Sequence, residues 1–254
     1  MPPLLPPEIL DLVADHLHDE PTTLKACCVL SKAWVSRTRK HLFACVELDA
    51  GVSTLKSWMK AFPDPSNSPA RYVRDLSIGA HQFPPALSMD FHAGIRSFRH
   101  VTTLKLYTIW CDDSRISLAQ LHGFSPVLKS LLLLYESAPP SEVFNLVCSF
   151  PSLEDLSLFS TADDEPDGEW TIPSTSPKLT GTLVLEMEGG IRPDVRRLLD
   201  LPGGLHFSSI WVSCPDRDAE SMAGLVSECS DTLETLHIKY NPPGVFYLAL
   251  AVGL

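Results

Sequence analysis

The sequence has no apolar run long enough to cross a membrane, and it lacks the opening of a secretory signal. Its longest apolar runs, residues 131–135 and 245–252, fall short of the roughly 20 residues that a spanning helix needs. The first eight residues contain four prolines, with neither a basic start nor a continuous apolar stretch. We therefore expect no signal peptide and no membrane partner.

Cysteine is sparse and shows no pattern. The seven cysteines are an odd number, and apart from the adjacent Cys27 and Cys28 they are scattered along the chain. Neither a disulfide framework nor a zinc-binding spacing results. Such cysteines are typical of buried free thiols in a reducing compartment, so we expect a cytoplasmic or nuclear protein with no metal and no cofactor.

Positive charge is scarce as well. The chain has 20 Lys and Arg against 31 Asp and Glu, a net charge of −11, and nearly all of the acidic excess lies after residue 48. Binding to a phosphate backbone needs basic stripes, so the sequence argues against a nucleic-acid partner. The acidic body is compatible with basic protein partners, or it serves only solubility.

Recognisable catalytic motifs are missing. The carboxylate pair at 112–113 and the histidine pair at 16–18 have no partner at ligand spacing, and there is no phosphate-binding glycine loop or nucleophile elbow. Cys45 or Cys148 would need a nearby base to act as a nucleophile. We expect no catalytic residue and no enzyme activity.

The N-terminal segment carries the pattern of three short helices. Ile9, Val13 and Leu17 recur every four residues, as on one face of a helix. Pro21 ends that helix because it disfavours helical geometry in the residue before it. A second helix follows, and Ser31 can cap a third. Three short helices bury little surface alone, so such a unit usually needs a neighbour.

This pattern resembles the F-box family over about the first fifth of the chain. The matching positions are an opening Leu-Pro, apolar positions of two helices, a Ser-Lys-Ala-Trp segment and a closing Leu-Phe, namely residues 5–9, Val13, Leu17, Leu24, 28–34 and 42–43. In that family, the Leu-Pro start and the later apolar positions dock on a Skp-type adaptor, which links to a cullin scaffold. The resemblance thus implies an adaptor-binding module over residues 1–48. Its adaptor-facing candidates are Leu5, Pro6, Ile9, Val13, Leu24, Val29 and Trp34. Packing inside the three-helix unit is an open alternative for some of them, Trp34 in particular.

The rest of the chain, residues 49–254, repeats the pattern apolar-x-x-apolar-x-apolar in steps of 25–28 residues. The middle apolar positions are Leu76, Leu104, Leu131, Leu156, Leu183, Ile210 and Leu236. The copy at Leu183 has one additional residue, and Val46 allows an eighth copy one step earlier. This period and motif resemble those of leucine-rich repeats, although the asparagine expected after the core leucines appears only as Asn241.

Helical patterns separate these strands, at residues 53–62, 87–98, 141–150, 193–201 and 217–229. A strand and then a helix at each step predict a curved α/β solenoid of about seven repeats, with parallel strands on its concave side and helices on its convex side. The chain ends in apolar residues where a solenoid usually has a polar cap. We therefore expect a C-terminally truncated array whose last apolar face is open to aggregation or to a partner.

Side chains alternate along a strand, so the neighbours of the core positions predict the outward face. On the later strands they form an apolar and aromatic stripe: Tyr107, Leu132, Leu134, Phe159, Val184 and Trp211. Exposed stripes of this kind mark partner sites, and we expect this one to bind a protein substrate. Burial by rim loops or by curvature is the open alternative. The acidic segment 163–169 either meets a basic part of the substrate or is a solvated loop.

Taken together, the two resemblances imply a substrate-recognition subunit of a Skp–cullin–F-box type ubiquitin ligase. The module would dock the adaptor, the repeat arc would bind a protein substrate, and other subunits would transfer ubiquitin. The alternative is a leucine-rich-repeat interaction scaffold outside any ligase, with a repeat-containing enzyme as a more distant possibility.

Overall fold

The computed structural model describes residues 6–49, 52–64, 67–79, 94–109, 118–135, 140–160, 172, 174–187, 192–214 and 219–240. These residues form one sheet of eight parallel strands, whose bounds are β1 Cys45–Asp49, β2 Asp75–Gly79, β3 Thr103–Ile109, β4 Ser130–Tyr135, β5 Asp155–Ser160, β6 Thr182–Met187, β7 Ser209–Cys214 and β8 Thr235–Tyr240. Every strand position predicted from the repeat pattern is confirmed, including the eighth copy around Val46.

Seven α-helices accompany the sheet within the described ranges. Their bounds are α1 Pro7–His16, α2 Pro21–Leu30, α3 Lys32–Leu42, α4 Val52–Ala61, α5 Pro140–Cys148, α6 Arg192–Leu199 and α7 Ala219–Glu228. Two short 3₁₀ turns also precede strands: Pro69–Tyr72 follows α4 in the connection before β2, and Leu118–Leu121 lies in the connection before β4. The predicted helix at 87–98 lies mostly outside the described residues. No helix in the described part of the chain is both long and apolar enough to cross a membrane.

The strands lie in the sheet in the same order as in the sequence, from β1 at one edge to β8 at the other. Crossovers between parallel strands are almost always right-handed. When every crossover moves in the same direction, all the connecting helices fall on one face of the sheet. Doubly wound sheets cover both faces because their strand order reverses. The strand order of this sheet never reverses, so among the described residues the helices that connect the strands lie on one face only.

The helix-covered face forms a leucine-rich core. Along β4, β5 and β6, every second residue is buried and the residues between are half-buried. One continuous apolar cluster runs from Leu48 to Cys229, with Leu131, Leu156 and Leu183 fully buried at its centre. Each fully buried leucine contributes roughly 1.5–3 kcal/mol relative to an exposed one. Each interior repeat is therefore stabilised by packing against the repeats on both sides of it.

Backbone hydrogen bonds at the starts of the strands hold each repeat against the next. The carbonyl of Arg74 accepts from the N–H groups of Thr102 and Thr103, at N···O distances of 2.8 and 3.0 Å. The same arrangement of two donors on one carbonyl occurs at Ala44, Arg74, Thr102, Lys129, Gly181 and Ser208. Asn241, the one asparagine at the position that the leucine-rich-repeat pattern predicts, lies outside the described residues.

The step from β5 to β6 departs from this arrangement, because this repeat has one additional residue. The carbonyl of Glu154 accepts only from the N–H of Gly181, and the N–H of Thr182 donates instead to Asp155 Oδ1 at 2.7 Å. A Cβ atom on Gly181 would lie 2.1 Å from that same carboxylate oxygen. Glycine is therefore required here for close approach to Asp155.

A buried polar contact ties the far end of β4 to α6. The hydroxyl of Tyr135, the last residue of β4, donates to Asp194 Oδ1 at 3.1 Å, and both side chains are buried. Burial, followed by the nearby Asp194 carboxylate, raises the pKa of the Tyr135 phenol well above its usual range. The phenol therefore stays protonated and keeps its proton to donate.

The first three helices form a separate unit at the β1 edge. Helices α1 and α2 both pack on α3, around a small core of Ala14, Leu24, Cys27 and Thr38. The unit ends at Leu42, because Cys45 already starts β1 and pairs with the sheet; residues 45–48 of the predicted module thus belong to the sheet.

An aromatic cluster connects this unit to the first repeat. Phe43 lies edge-on to Trp58 and Phe62, with ring centroids 5.9 and 6.2 Å away. Trp58 continues the contact to Phe98 at 5.3 Å. Aromatic pairs at these distances and angles add stability beyond the apolar area that they bury, so the segment that directly follows α3 is packed against the first repeat.

Candidate protein-binding surfaces

Large apolar side chains are exposed on the helical unit. On α1 they are Ile9, Leu12 and Val13, whose spacing of three and four residues places them on one side of the helix. On α2 they are Val29 and Leu30, with exposed fractions of 87% and 74%. Exposed apolar residues mark interaction sites when they form a contiguous patch, and the three on α1 share one side of that helix. We call these five residues the apolar face of the helical unit.

The structure separates the predicted adaptor-facing residues into groups. Pro6, Ile9, Val13 and Val29 are exposed, and Trp34 is half-buried. Leu24 has an exposed fraction of only 1%, so it packs inside the unit. Leu5 lies outside the described residues.

Two members of the apolar face are absent from the predicted set. Leu12 stands three residues after Ile9, and Leu30 follows Val29 at the end of α2. The helical spacing of Leu12 was a usable signal. For Leu30 the sequence offered none, because α2 carries apolar residues on several sides.

A charged contact fixes α1 on α3 and so sets the direction of the α1 part of the apolar face. Arg37 Nε donates to Asp15 Oδ1 at 2.6 Å, and Arg37 Nη2 pairs with Asp15 Oδ2. His41 Nε2 also lies 2.7 Å from Asp15 Oδ1. The hydrogen bond from Arg37, and then that from His41, hold the pKa of the Asp15 carboxyl well below its usual range. This paired arrangement is a charge-assisted fork.

The sheet face on which no described helix lies carries the predicted stripe. All six stripe residues lie on the face opposite the helices, five of them half-buried and Trp211 exposed at 43%. We call this surface the open face. The prediction that Tyr107, Leu132, Leu134, Phe159, Val184 and Trp211 point away from the core is therefore confirmed, while their role in binding stays a prediction.

The register shows that the stripe runs diagonally over two rows. Leu134 pairs with Phe159 in the row nearer the strand ends. Val184 pairs with Trp211 in the next row. Val184 also lies opposite Ser157, two residues before Phe159, so Phe159 and Val184 are diagonal neighbours about 8 Å apart by the spacing of strands and residues. The two rows thus join at the centre of the sheet.

Trp211 is held in a defined orientation at one end of the stripe. Its ring stacks on that of His237, with centroids 4.6 Å apart and planes at 29°. Its indole N–H donates to Ser209 Oγ at 2.9 Å. A tryptophan that is fixed and exposed loses little conformational freedom on binding, and tryptophan is a favoured anchor at protein interfaces.

Polar residues border the stripe on the side of the strand starts. This border row consists of Thr103, Ser130, Asp155, Thr182 and Ser209. The carboxylates of Glu47 and Asp75 stand on the first two strands, and His237 and Lys239 on the last. The described residues of the open face thus combine an apolar centre with polar residues at the strand starts and on the outer strands, as at a typical protein interface.

Cys45 and Cys148, which would need a nearby base to act as nucleophiles, lie in surroundings that disfavour nucleophilic chemistry. Partial desolvation, and then the Asp75 carboxylate, raise the pKa of the Cys45 thiol. Burial raises that of Cys148 to about 11. Both effects reduce the thiolate that a nucleophile requires. Among the described residues there is also no group of three His, Cys, Asp or Glu side chains that could hold a metal ion.

Several predicted features lie outside the described residues, namely the carboxylates at 112–113, the acidic segment 163–169 and the C-terminal residues 241–254. On the last strand, Leu236 and Ile238 continue the core rows but are exposed.

A scan against protein-family models finds no match to this chain, and a search of curated proteins finds no similar sequence. Function is therefore inferred from this chain's own residues and geometry.

Proposed function

We propose that this chain is the substrate-recognition subunit of a Skp–cullin–F-box type ubiquitin ligase. The helical unit docks a Skp-type adaptor and, through it, a cullin, and the open face of the leucine-rich-repeat arc binds a protein substrate. The observation that carries this proposal is the apolar face of the helical unit, which lies at the end of the chain where the F-box resemblance lies.

The packing of the helical unit supports a docking role. Its core is small and includes the polar Thr38, while Val29 and Leu30 point to solvent. Burying apolar surface stabilises by about 25 cal/mol per Å². A partner that covers the apolar face therefore gains affinity and supplies the burial that the three helices lack.

The division of labour between the two surfaces follows from their positions. The helical unit lies at the β1 edge, whereas the stripe of the open face extends from β3 to β7. Adaptor and substrate therefore occupy different parts of the chain and can bind together. In this proposal the chain performs no chemistry, and ubiquitin is transferred by other subunits.

The test is co-purification of the full chain with a Skp-type adaptor. Val29→Asp places a charge on the apolar face, and the high exposure of Val29 means that the core is untouched. We expect a stoichiometric complex with the wild type and at least about a tenfold loss of affinity with Val29→Asp, because a charge must then be desolvated on docking.

Val127→Asp is the matched control, since Val127 is an exposed valine in the turn before β4. It should bind the adaptor like the wild type. A second variant, Leu5→Ala with Pro6→Ala, tests the Leu-Pro start. Absence of a complex from well-folded wild-type protein would contradict the ligase proposal. The open face would then favour the alternative, a repeat scaffold for protein interactions.

A further inference from the structure

We propose that the open face binds an amphipathic helix of its partner, with basic residues flanking the apolar side of that helix. This inference rests on the proposed function of the open face as a substrate-binding surface and adds the structural and chemical class of the substrate segment. It is carried by the dimensions of the stripe, by the state of the backbone beneath it and by the charges around it.

The stripe has the dimensions of a short helix. It extends from Tyr107 on β3 to Trp211 on β7, which is four strand spacings or about 19 Å. A helix rises 1.5 Å per residue, so about 13 residues, or between three and four turns, span this length. The stripe is only one or two side chains wide, as is the apolar side of an amphipathic helix.

The backbone under the stripe favours a helix over an extended segment. Strands β3 to β7 are each paired with a neighbour on both sides, so their N–H and C=O groups are already satisfied. An extended segment lying on Leu134, Phe159 and Val184 would bury its own backbone groups against side chains that cannot pair with them. A helix satisfies those groups internally and presents only side chains.

The charges of the open face favour a basic partner. Among the described side chains of the open face there are four carboxylates, Glu47, Asp75, Asp155 and Glu186, and two lysines, Lys105 and Lys239. The whole chain has a net charge of −11. Lysine or arginine residues on either side of the helix's apolar face would thus meet a field of opposite sign, which favours both specificity and association rate.

Three synthetic peptides of about 14 residues, long enough for the stripe, provide the probes. The first is built from leucine and lysine with an amphipathic helical pattern. The second has the same composition with the leucines distributed around the helix, and the third replaces every lysine with glutamate. Fluorescence anisotropy of labelled peptides with the full chain measures affinity. We expect the first peptide to bind at least about tenfold more tightly than either of the others.

Variants then assign the binding to the open face. Trp211→Asp should weaken the first peptide at least about tenfold, while Val127→Asp, an equally charged change outside that face, should leave its affinity unchanged. Phe159→Ala provides a second variant at the centre of the stripe that adds no charge. Circular dichroism of each variant verifies folding.

Each outcome bears on a defined part of the inference. If the second peptide binds as tightly as the first, the partner segment need not be an amphipathic helix. If the third binds as tightly as the first, the helix need not carry basic residues. If no peptide binds, or if Trp211→Asp and Phe159→Ala have no effect, the inference as a whole is wrong. Adaptor co-purification with the same proteins tests the ligase proposal separately, because the adaptor contacts the helical unit and the peptides contact the sheet.

Discussion

The helical unit and the repeat sheet differ in how far they bury their large apolar side chains. In the sheet, the largest apolar side chains point inward, and Leu131, Leu156 and Leu183 are fully buried in one continuous core. In the helical unit, Val29 and Leu30 are among the most exposed apolar residues of the described chain.

The two regions also differ in what holds their elements together. Adjacent repeats are joined by leucine packing and by regular backbone hydrogen bonds at the strand starts. Helices α1 and α3 pack around Ala14 and Thr38 and are joined in addition by the ionic contact of Asp15 with Arg37 and His41. The sheet thus buries its apolar side chains against its own repeats, whereas the helical unit leaves apolar side chains exposed, as the proposed docking on an adaptor requires.

The largest expected effect comes from a cavity in the sheet core. Leu156→Ala, in the fully buried middle position of β5, should lower the free energy of unfolding by about 3 kcal/mol, because it removes buried methyl groups and leaves a cavity. Urea unfolding followed by circular dichroism measures the change. Ser157→Ala, the next residue on the open face, should change stability by less than about 0.5 kcal/mol. Similar effects for both variants would contradict the assignment of the two faces.

A smaller effect is expected where the sheet departs from its own regularity. Gly181→Ala would place a methyl group against Asp155 Oδ1, so we expect a loss of about 1–3 kcal/mol in unfolding free energy from strain and a displaced hydrogen bond. In the Asp155→Ala background the same change should cost less, because the obstructing carboxylate is gone. A double-mutant cycle measures this coupling. Additive effects would show that Asp155 does not constrain Gly181.

The strand pattern could be predicted from the sequence because its cause is local. Residues such as Leu76 and Leu104 recur at a fixed period, and alternation along each strand then assigns the open face. The six stripe residues were found in this way. What the sequence could not provide is the diagonal arrangement of Phe159 and Val184, since it depends on the register between strands.

The helical unit was less predictable for a physical reason. Helix α2 itself carries apolar residues on several sides. Its sequence pattern therefore cannot show that Leu24 and Cys27 face inward while Val29 and Leu30 face outward. The direction is set by where α3 packs, which is a tertiary contact. The partners of Asp15 are also distant in sequence, 22 and 26 residues away, and no local signal links them.

The smallest expected effect concerns the ionic contact of Asp15 with Arg37 and His41. It should make the stability of the helical unit, but not that of the sheet core, depend on pH. Because the pKa of Asp15 is depressed in the folded unit, its carboxylate contributes stability that is present above its unfolded pKa of about 3.9 and is lost as the pH falls below that value. Asp15→Asn should therefore loosen α1 at neutral pH, and the difference from the wild type should shrink below about pH 4. The cost of Leu156→Ala, by contrast, involves no titrating group and should persist.

Hydrogen exchange read by mass spectrometry, corrected for intrinsic rates, separates the regions, since peptides covering α1 and α3 report on the unit and peptides covering β5 on the sheet. Asp15→Asn should speed exchange in α1 and leave β5 unchanged. Asp11→Asn removes the same charge from an exposed position of α1 and should have a smaller effect, because Asp11 acts on Arg37 only through its charge. If Asp15→Asn and Asp11→Asn act alike, the hydrogen-bonded fork does not hold the unit together, and the α1 part of the apolar face is positioned by packing around Ala14 alone.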